Sequence, residues 1–399
     1  MHYTFRKFIN DIHLWLGIAS GLVLFIVCLS GTIYTFHTEI EEWLEPAKYE
    51  VDAPAQATLL PVDALIPQLQ QELKGKVVSL EIQEDKGSTY RVGVAAKPEG
   101  REGAAQAGRG GGHDGGRPTT YFVNPYTGEV LGTTDGPATE FFRTVMQLHR
   151  WLLIEGDVGK IIVGVSTIIF VFLVLSGLVL WFPVKLKNWK QGFKVKTDAN
   201  WKRVNHDLHN TLGFYSSILL LIMALTGLCW SFGWYRDGLS SVMGAEVFKG
   251  RGEKPAPSDP AGEHLNLTVA DFIQRANALV PYEGDLRVSL PSDSLSSVVI
   301  SKSKTGFFAL AAADKVQLDQ YSGELIKLEL FSEKPLNEQV VSLIKPLHLG
   351  EVYGTFSKIL YFIACLVATS LPITGTMIWI NKLRKKPRKK RSKDIAMPA

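Results

Sequence analysis

Asp11-Ile12-His13-Leu14-Trp15-Leu16-Gly17 and Asp207-Leu208-His209-Asn210-Thr211-Leu212-Gly213 share one frame, 196 residues apart. Each opens a long apolar run, and each glycine is followed fourteen residues later by another, in Ser30-Gly31 and Thr226-Gly227. The correspondence extends outward. Asn124-Pro125-Tyr126-Thr127-Gly128-Glu129-Val130 matches Asp319-Gln320-Tyr321-Ser322-Gly323-Glu324-Leu325 at an offset of 195. Leu148-His149 and Leu347-His348 precede two further apolar runs, which end near Ser176-Gly177 with Trp181 and Thr374-Gly375 with Trp379. The offsets stay between 195 and 199, so the chain reads as a duplication of helix, small outer domain and second helix. Parallel repeats usually pack around an axis along the membrane normal. That axis sets His13 near His209 at one level and His149 near His348 at the other.

The four apolar runs cover 12–36, 158–182, 212–234 and 353–380. Each exceeds the roughly 20 residues that a helix needs to cross a bilayer. Trp15, Trp43, Trp181, Trp234, Tyr353 and Trp379 flank them with rings suited to the headgroup level. The first run is too long for a signal-peptide core, and Phe36-His37-Thr38-Glu39 is no small-residue cleavage site, so an uncleaved anchor is expected. The net charge of +4 matters only through its placement. Arg6 and Lys7, seven cations from Lys185 to Arg203, and the basic tail at 382–393 fall on one side of a four-span chain. Positive segments stay cytoplasmic, which puts both termini inside. The tail then reads as a topology determinant and lipid contact, not as a nucleic-acid site.

The expected fold is a polytopic α-helical membrane protein with four transmembrane helices and two α+β domains outside the cytoplasmic membrane. The N-terminus and first transmembrane helix occupy 1–37, and the first outer domain 38–148. The second helix (149–183), a basic cytoplasmic loop (184–205) and the third helix (206–235) follow. The second outer domain (236–347), the fourth helix (348–381) and the tail (382–399) complete the chain. Strand-like runs at 77–82, 90–95, 120–123 and 298–301, with amphipathic helix patterns near 61–74 and 268–280, give the outer segments their α+β character. The Gly-rich stretch 100–117 is expected to be a hairpin loop carrying a solvated His113. Cys28, Cys229 and Cys365 all lie in apolar runs and read as small packing residues.

Six of the nine histidines (His13, His37, His149, His206, His209 and His348) lie at or near a span end. Neutral imidazole is a good axial ligand for haem iron, and one from each of two helices can bracket a porphyrin. Gly17 and Gly213 follow their histidines by one turn on the same helix face, where a missing side chain lets a flat macrocycle approach. Gly31 and Gly227 lie five turns from those histidines and return to the same face, so they too are expected to pack on haem. The pattern predicts two non-covalent b-type haems, one on His13 and His209 and one on His149 and His348. His206 aligns with Asn10 and His37 with Gly233, so symmetry offers neither a partner; both are possible additional ligands or haem contacts. Arg203 at the inner surface and Arg150 at the outer are candidate propionate contacts, with Arg6, Lys7, Lys202, Arg143 and Lys345 nearby. Interfacial histidines with small residues that ease helix packing are the competing explanation. Four histidines at duplicated positions weigh against it.

The Tyr-x-Gly-Glu turn in both outer segments, Leu-His before runs two and four, and Ser/Thr-Gly…Trp near their ends resemble the PepSY-associated transmembrane-helix family. The resemblance covers nearly the whole chain apart from the basic tail and the Gly-rich loop. It implies PepSY-like outer domains and a likeness to the inner-membrane siderophore-iron reductases of Gram-negative bacteria, di-haem proteins that reduce Fe(III)-siderophores in the periplasm. Carried over by residue, it supports His13 with His209 and His149 with His348. No G-x-G-x-x-G opens a helix after a strand and no C-x-x-C-H is present, so the electron donor, a quinol or a cytoplasmic reductant, is expected to be a separate molecule. No catalytic residue beyond the haem ligands is singled out. A membrane-anchored PepSY binding or regulatory protein is one rival reading, and it predicts no Soret band. A metal or siderophore transporter is another, and it predicts polar groups at mid-span, where these runs carry almost no charge.

Overall fold

Among the described residues of the computed structural model, four helices are long and apolar enough to cross a membrane: Phe5–Tyr34, Asp157–Trp181, Trp201–Ser231 and Gly354–Leu383, here spans one to four. The structure describes residues 4–52, 58–96, 118–248 and 255–384; the 100–117 stretch with His113, and most of the basic tail, lie outside the described residues. Spans one and three begin well before their apolar runs. Residues 6–11 and 202–210 contain neither Gly nor Pro, so nothing stops the helix from extending through them.

Two compact units emerge. The helical unit takes the chain up to Thr32, His149–Leu225 and the chain from Ile363, and the sheet unit takes Ile33–Leu148 and Thr226–Phe362. Inside the helical unit, small and hydroxylated residues let the spans approach closely. Ser20, Ser30, Ser166, Thr211 and Ser216 are buried, and Ser20 and Ser216 donate back to their own helix at the Leu16 and Leu212 carbonyls, both at 2.7 Å. Leu220, Ala364 and Ala368 form an apolar seam between spans three and four.

In the sheet unit, eight antiparallel strands run β1 (Gly75–Ile82), β2 (Tyr90–Ala96), β3 (Thr119–Val123), β4 (Val130–Thr133), β5 (Asp285–Ser289), β6 (Val298–Ser303), β7 (Ala313–Leu318) and β8 (Leu325–Glu329). Their order across the sheet is β4-β3-β2-β1-β5-β6-β7-β8. The two outer segments, expected as two domains, therefore join through β1 and β5 into one sheet. Leu80 faces Val288 across that seam, both fully buried, while Glu81 faces Arg287 and pairs with it at 3.0 Å. An edge strand left open would expose unpaired amides, and pairing the first strand of each half removes that liability. Helices Val62–Glu72 and Val269–Leu279 cover one face; Leu65, Leu69, Phe272 and Ala276 pack there on Val92, Ile300 and Val316.

The matched Tyr-x-Gly-Glu stretches build the same turn twice. Asn124 Oδ1 accepts from the amides of Tyr126 (2.8 Å) and Thr127 (3.3 Å); Asp319 Oδ1 accepts from Tyr321 (2.8 Å) and Ser322 (2.9 Å). Gly128 and Gly323 then take positive φ, 76° and 68°, which favours glycine.

The outer histidines are not on the spans. His149 belongs to a separate helix, Pro137–Trp151, after which Leu152 and Leu153 turn the chain at φ 56° and 57° before span two begins. His348 lies on the short helix Ile344–Leu349, closed by Gly350 at φ 78°. The expected starts at 149 and 348 thus move to Asp157 and Gly354, because left-handed residues break the helix between the histidine and the apolar run.

Candidate functional site

His13 on span one and His209 on span three face a common cavity of about 780 Å³ in the helical unit. That is within the roughly 300–1,000 Å³ typical of small-molecule and cofactor sites. Their ring centroids lie 6.3 Å apart with perpendicular planes. A metal–imidazole bond of about 2 Å, as in zinc sites, and about 1.1 Å from nitrogen to ring centre put the centroids of two trans imidazoles roughly 6.2–6.4 Å apart. The observed separation falls in that range, which is also the range of an ordinary edge-to-face ring contact.

Hydrogen bonding fixes which nitrogen each ring presents. His13 Nδ1 lies 2.8 Å from Ser176 Oγ, and His209 Nδ1 lies 2.9 Å from Thr374 Oγ1. Each hydroxyl gives its only proton to its own helix, Ser176 to the Phe172 carbonyl at 2.6 Å and Thr374 to the Ser370 carbonyl at 3.0 Å. The hydroxyl oxygen can then only accept, so Nδ1 carries the proton and Nε2 keeps its lone pair. The residue after each hydroxyl is a glycine beneath the ring. A Cβ at Gly177 would meet His13 Cε1 at 3.5 Å, and one at Gly375 would meet His209 Cε1 at 3.2 Å.

The outer histidines sit on the same kind of seat. His149 Nδ1 donates to the Val27 carbonyl at 2.9 Å with Ser30 Oγ at 3.5 Å, and a Cβ on Gly31 would come within 3.1 Å of its Cε1. Burial lowers the His149 pKa, opposed by the Val27 hydrogen bond and reinforced by Arg150, which favours the neutral ring. His348 Nδ1 lies 3.2 Å from Thr226 Oγ1, a Cβ on Gly227 would come within 2.9 Å of its Cε1, and the Trp230 ring lies alongside at 5.1 Å. His149 belongs to the helical unit and His348 to the sheet unit.

Gly17 and Gly213 border the cavity as expected, each with room for a Cβ 3.7 Å from Leu173 and Leu371 respectively. Gly31 and Gly227, expected on the face of the inner pair, lie instead under His149 and His348. Eighteen residues along a helix is about 27 Å, so a glycine that returns to the same face does so at the other end of the span. Arg203 and His206 border the cavity; Arg203 pairs with Asp207 at 2.8 Å, and His206 is more than half exposed. Arg6 and Lys7 border it too, Lys202 does not, and Arg150 stacks on Trp151 at 5.0 Å. His37 lies in the sheet unit, stacked on Tyr34 at 3.9 Å, with Nδ1 donating to the Tyr34 carbonyl at 2.9 Å.

The family model described as the PepSY-associated TM region matches residues 11–382, from just before His13 to the end of span four. The chain belongs to this family. No curated protein matches it. In this PepSY-associated membrane protein the four Ser/Thr-Gly dipeptides, read in the sequence as markers of repetition, are the seats of the histidines. Asn205 carried no signal, since its counterpart at the repeat offset is Ile9. It is fully buried and donates from Nδ2 to the Thr374 carbonyl at 3.0 Å, bracing the residue that orients His209, while its Oδ1 has no partner among the described residues.

Proposed function

We propose that this PepSY-associated protein is a di-haem b-type oxidoreductase that carries electrons across a bacterial inner membrane to reduce Fe(III)-siderophore and release Fe(II) in the periplasm. The observation that carries this reading is the His13–His209 pair, two neighbouring rings 6.3 Å apart whose Nδ1 atoms are both engaged by hydroxyls, so that each would offer Nε2 to a metal. His13 and His209 would hold the haem iron, and the cavity that spans one to four line beside them, bordered by Gly17 and Gly213, offers space for the macrocycle. When bound, haem iron supplies reversible one-electron chemistry. The chain's own residues hold the rings neutral through Ser176 and Thr374 and seat them on Gly177 and Gly375; Arg203 would reach a propionate only in exchange for Asp207, and Arg6 only in exchange for the Leu180 and Phe182 carbonyls.

The second haem is assigned to His149 and His348 on the sequence repeat, supported by the likeness of their seats to the inner ones. The same repeat supports a duplicated chain, and the cations of residues 6–7, 185–203 and 382–393 support cytoplasmic termini with the sheet unit in the periplasm. A reduced-minus-oxidised spectrum of detergent-purified protein, with haem quantified per chain, is expected to give two low-spin b-type haems. Single His13→Ala and His209→Ala variants are expected to lose the same haem, and His149→Ala and His348→Ala the other. Protein without haem, or four variants with unchanged spectra, refutes the reading and leaves an anchored PepSY module.

A further inference from the structure

The loop between spans two and three links solvent to the cavity wall by aromatic contacts. Trp189, half exposed, meets Phe193 at 5.5 Å; Phe193 meets Trp181 at 4.9 Å; Trp181 stacks on Phe214 at 3.7 Å and 14°. Trp181 and Phe214 border the cavity that His13 and His209 face. The loop is held onto both spans at one carbonyl, because Gly192 O accepts from Trp181 Nε1 at 3.0 Å and from Thr211 Oγ1 at 3.1 Å. Lys185, Lys187, Lys190 and Lys194 flank Trp189 along the chain, and all four are exposed. Between Lys185 and Arg203 there are seven cations and one carboxylate, Asp198.

We infer that this loop is the docking surface for a small acidic one-electron carrier protein of the iron–sulfur type. The inference rests on the proposed haem function. In each encounter one electron leaves a reduced [2Fe–2S] centre, which becomes oxidised, and arrives at the iron held by His13 and His209, which becomes reduced; no bond breaks and no proton moves. A lysine field around an exposed aromatic steers such a carrier and releases it readily, as transient electron-transfer encounters of small area require. Anionic lipid would also be drawn to the lysines. Lipid contact alone has no need of a ring-to-ring link from Trp189 to the cavity wall, and that link favours the protein carrier.

The test uses the full chain in nanodiscs of phosphatidylcholine and an oxidised plant-type [2Fe–2S] ferredoxin as the probe. Binding is read by quenching of tryptophan fluorescence, a signal that does not depend on turnover. The K187E/K190E double variant is expected to weaken binding at least tenfold, and raising salt from 50 to about 300 mM to do the same in the wild type, because exposed charges are screened within a Debye length of about 10 Å at 0.1 M. Lys327→Glu on β8 is the control and leaves binding unchanged. Trp189→Ala is expected to slow haem reduction by photoreduced ferredoxin severalfold while dithionite reduction is unchanged. Wild-type ferredoxin binding by K187E/K190E, or a loss confined to affinity for phosphatidylglycerol vesicles, overturns the docking surface. Absence of haem from the wild-type protein instead overturns the functional proposal and is seen before any ferredoxin is added.

Discussion

Gly375 and Gly177 occupy equivalent places under the two inner histidines, yet they should respond oppositely to alanine. A Cβ at Gly375 lies 3.2 Å from His209 Cε1, inside ordinary van der Waals contact, so the ring must give by a few tenths of an ångström. It cannot do so freely, because Nδ1 is held by Thr374 and Thr374 is braced by Asn205. Overpacking of this kind costs about 1–3 kcal/mol. Alanine recovers about 0.5–1 kcal/mol of backbone entropy in a helix, which leaves Gly375→Ala destabilising by roughly 1 kcal/mol. At Gly177 the Cβ meets His13 Cε1 at 3.5 Å, an ordinary contact, so only the gain of about 0.5–1 kcal/mol remains. Thermal unfolding of the purified protein should place the two midpoints on opposite sides of wild type. Any metal-bound spectrum of the inner pair should change in Gly375→Ala alone. The outer seats extend the series, with Gly31→Ala (3.1 Å) resembling Gly375→Ala and Gly227→Ala (2.9 Å) the most disruptive. Equal shifts for Gly177→Ala and Gly375→Ala, in either direction, would refute the argument that the glycines set the ring positions.

Three further outcomes follow from the same structure. Asn205→Ala should cost about 1 kcal/mol, whereas Asn205→Asp, which puts a buried carboxylate against the Thr374 carbonyl, should cost several; unfolding midpoints that rank them the other way exclude the bracing role. Burial alone would raise the Asp319 pKa, but amide hydrogen bonds from Ser322, Asp259 and Tyr321 outweigh it and lower the pKa below 3.8. Its stabilisation is present above that unfolded value and is lost as pH falls through the folded one. Asp319→Asn should therefore cost about 1–3 kcal/mol at neutral pH, because the Asp259 amide loses its 2.7 Å acceptor, and should flatten stability against pH below about 4. An acid limb identical to wild type counts against it. Leu80→Ala, at the β1–β5 seam, should cost about 2–5 kcal/mol and lower amide protection in β5–β8 as well as β1–β4. Protection lost in β1–β4 alone would mean that the halves unfold separately.

The spans are legible because twenty apolar residues in a row have few other fates, and the nearness of His13 to His209 because repetition places the two level. The seats were visible but misread. Ser30-Gly31 and Thr226-Gly227 were assigned by helix periodicity to the face of His13 and His209, and a periodicity fixes azimuth without fixing which helix is the neighbour. Their true partners, His149 and His348, arrive on short helices of their own, and the breaks after them at Leu152–Leu153 and Gly350 are backbone events that hydropathy does not register. Joining of the outer segments was likewise hidden. A strand such as β1 alternates its side chains identically whether its second edge meets solvent or β5, and the partner is chosen by contacts more than 200 residues away, between Glu81 and Arg287.

The seats also limit what the inner cavity can accept. A protonated imidazole needs acceptors for two N–H groups, and Ser176 and Thr374 provide one each at Nδ1 of His13 and His209. The hydroxyl contacts of both rings are at Nδ1, which suits a neutral ring with its lone pair at Nε2. A lone pair suits a metal ion or a hydrogen-bond donor and repels the oxygens of an anionic chelate. If a ferric chelate were the direct occupant of this cavity, its acidic oxygens would face two such lone pairs, an arrangement that the hydroxyl–glycine seats enforce. At the cavity border Arg6 donates to the carbonyls of Leu180 and Phe182 and Arg203 pairs with Asp207, so a ligand acidic at its margin would have to compete for both. Under the proposed function, haem would meet the two lone pairs with iron, which a carboxylate-rich chelate without an accessible metal does not offer.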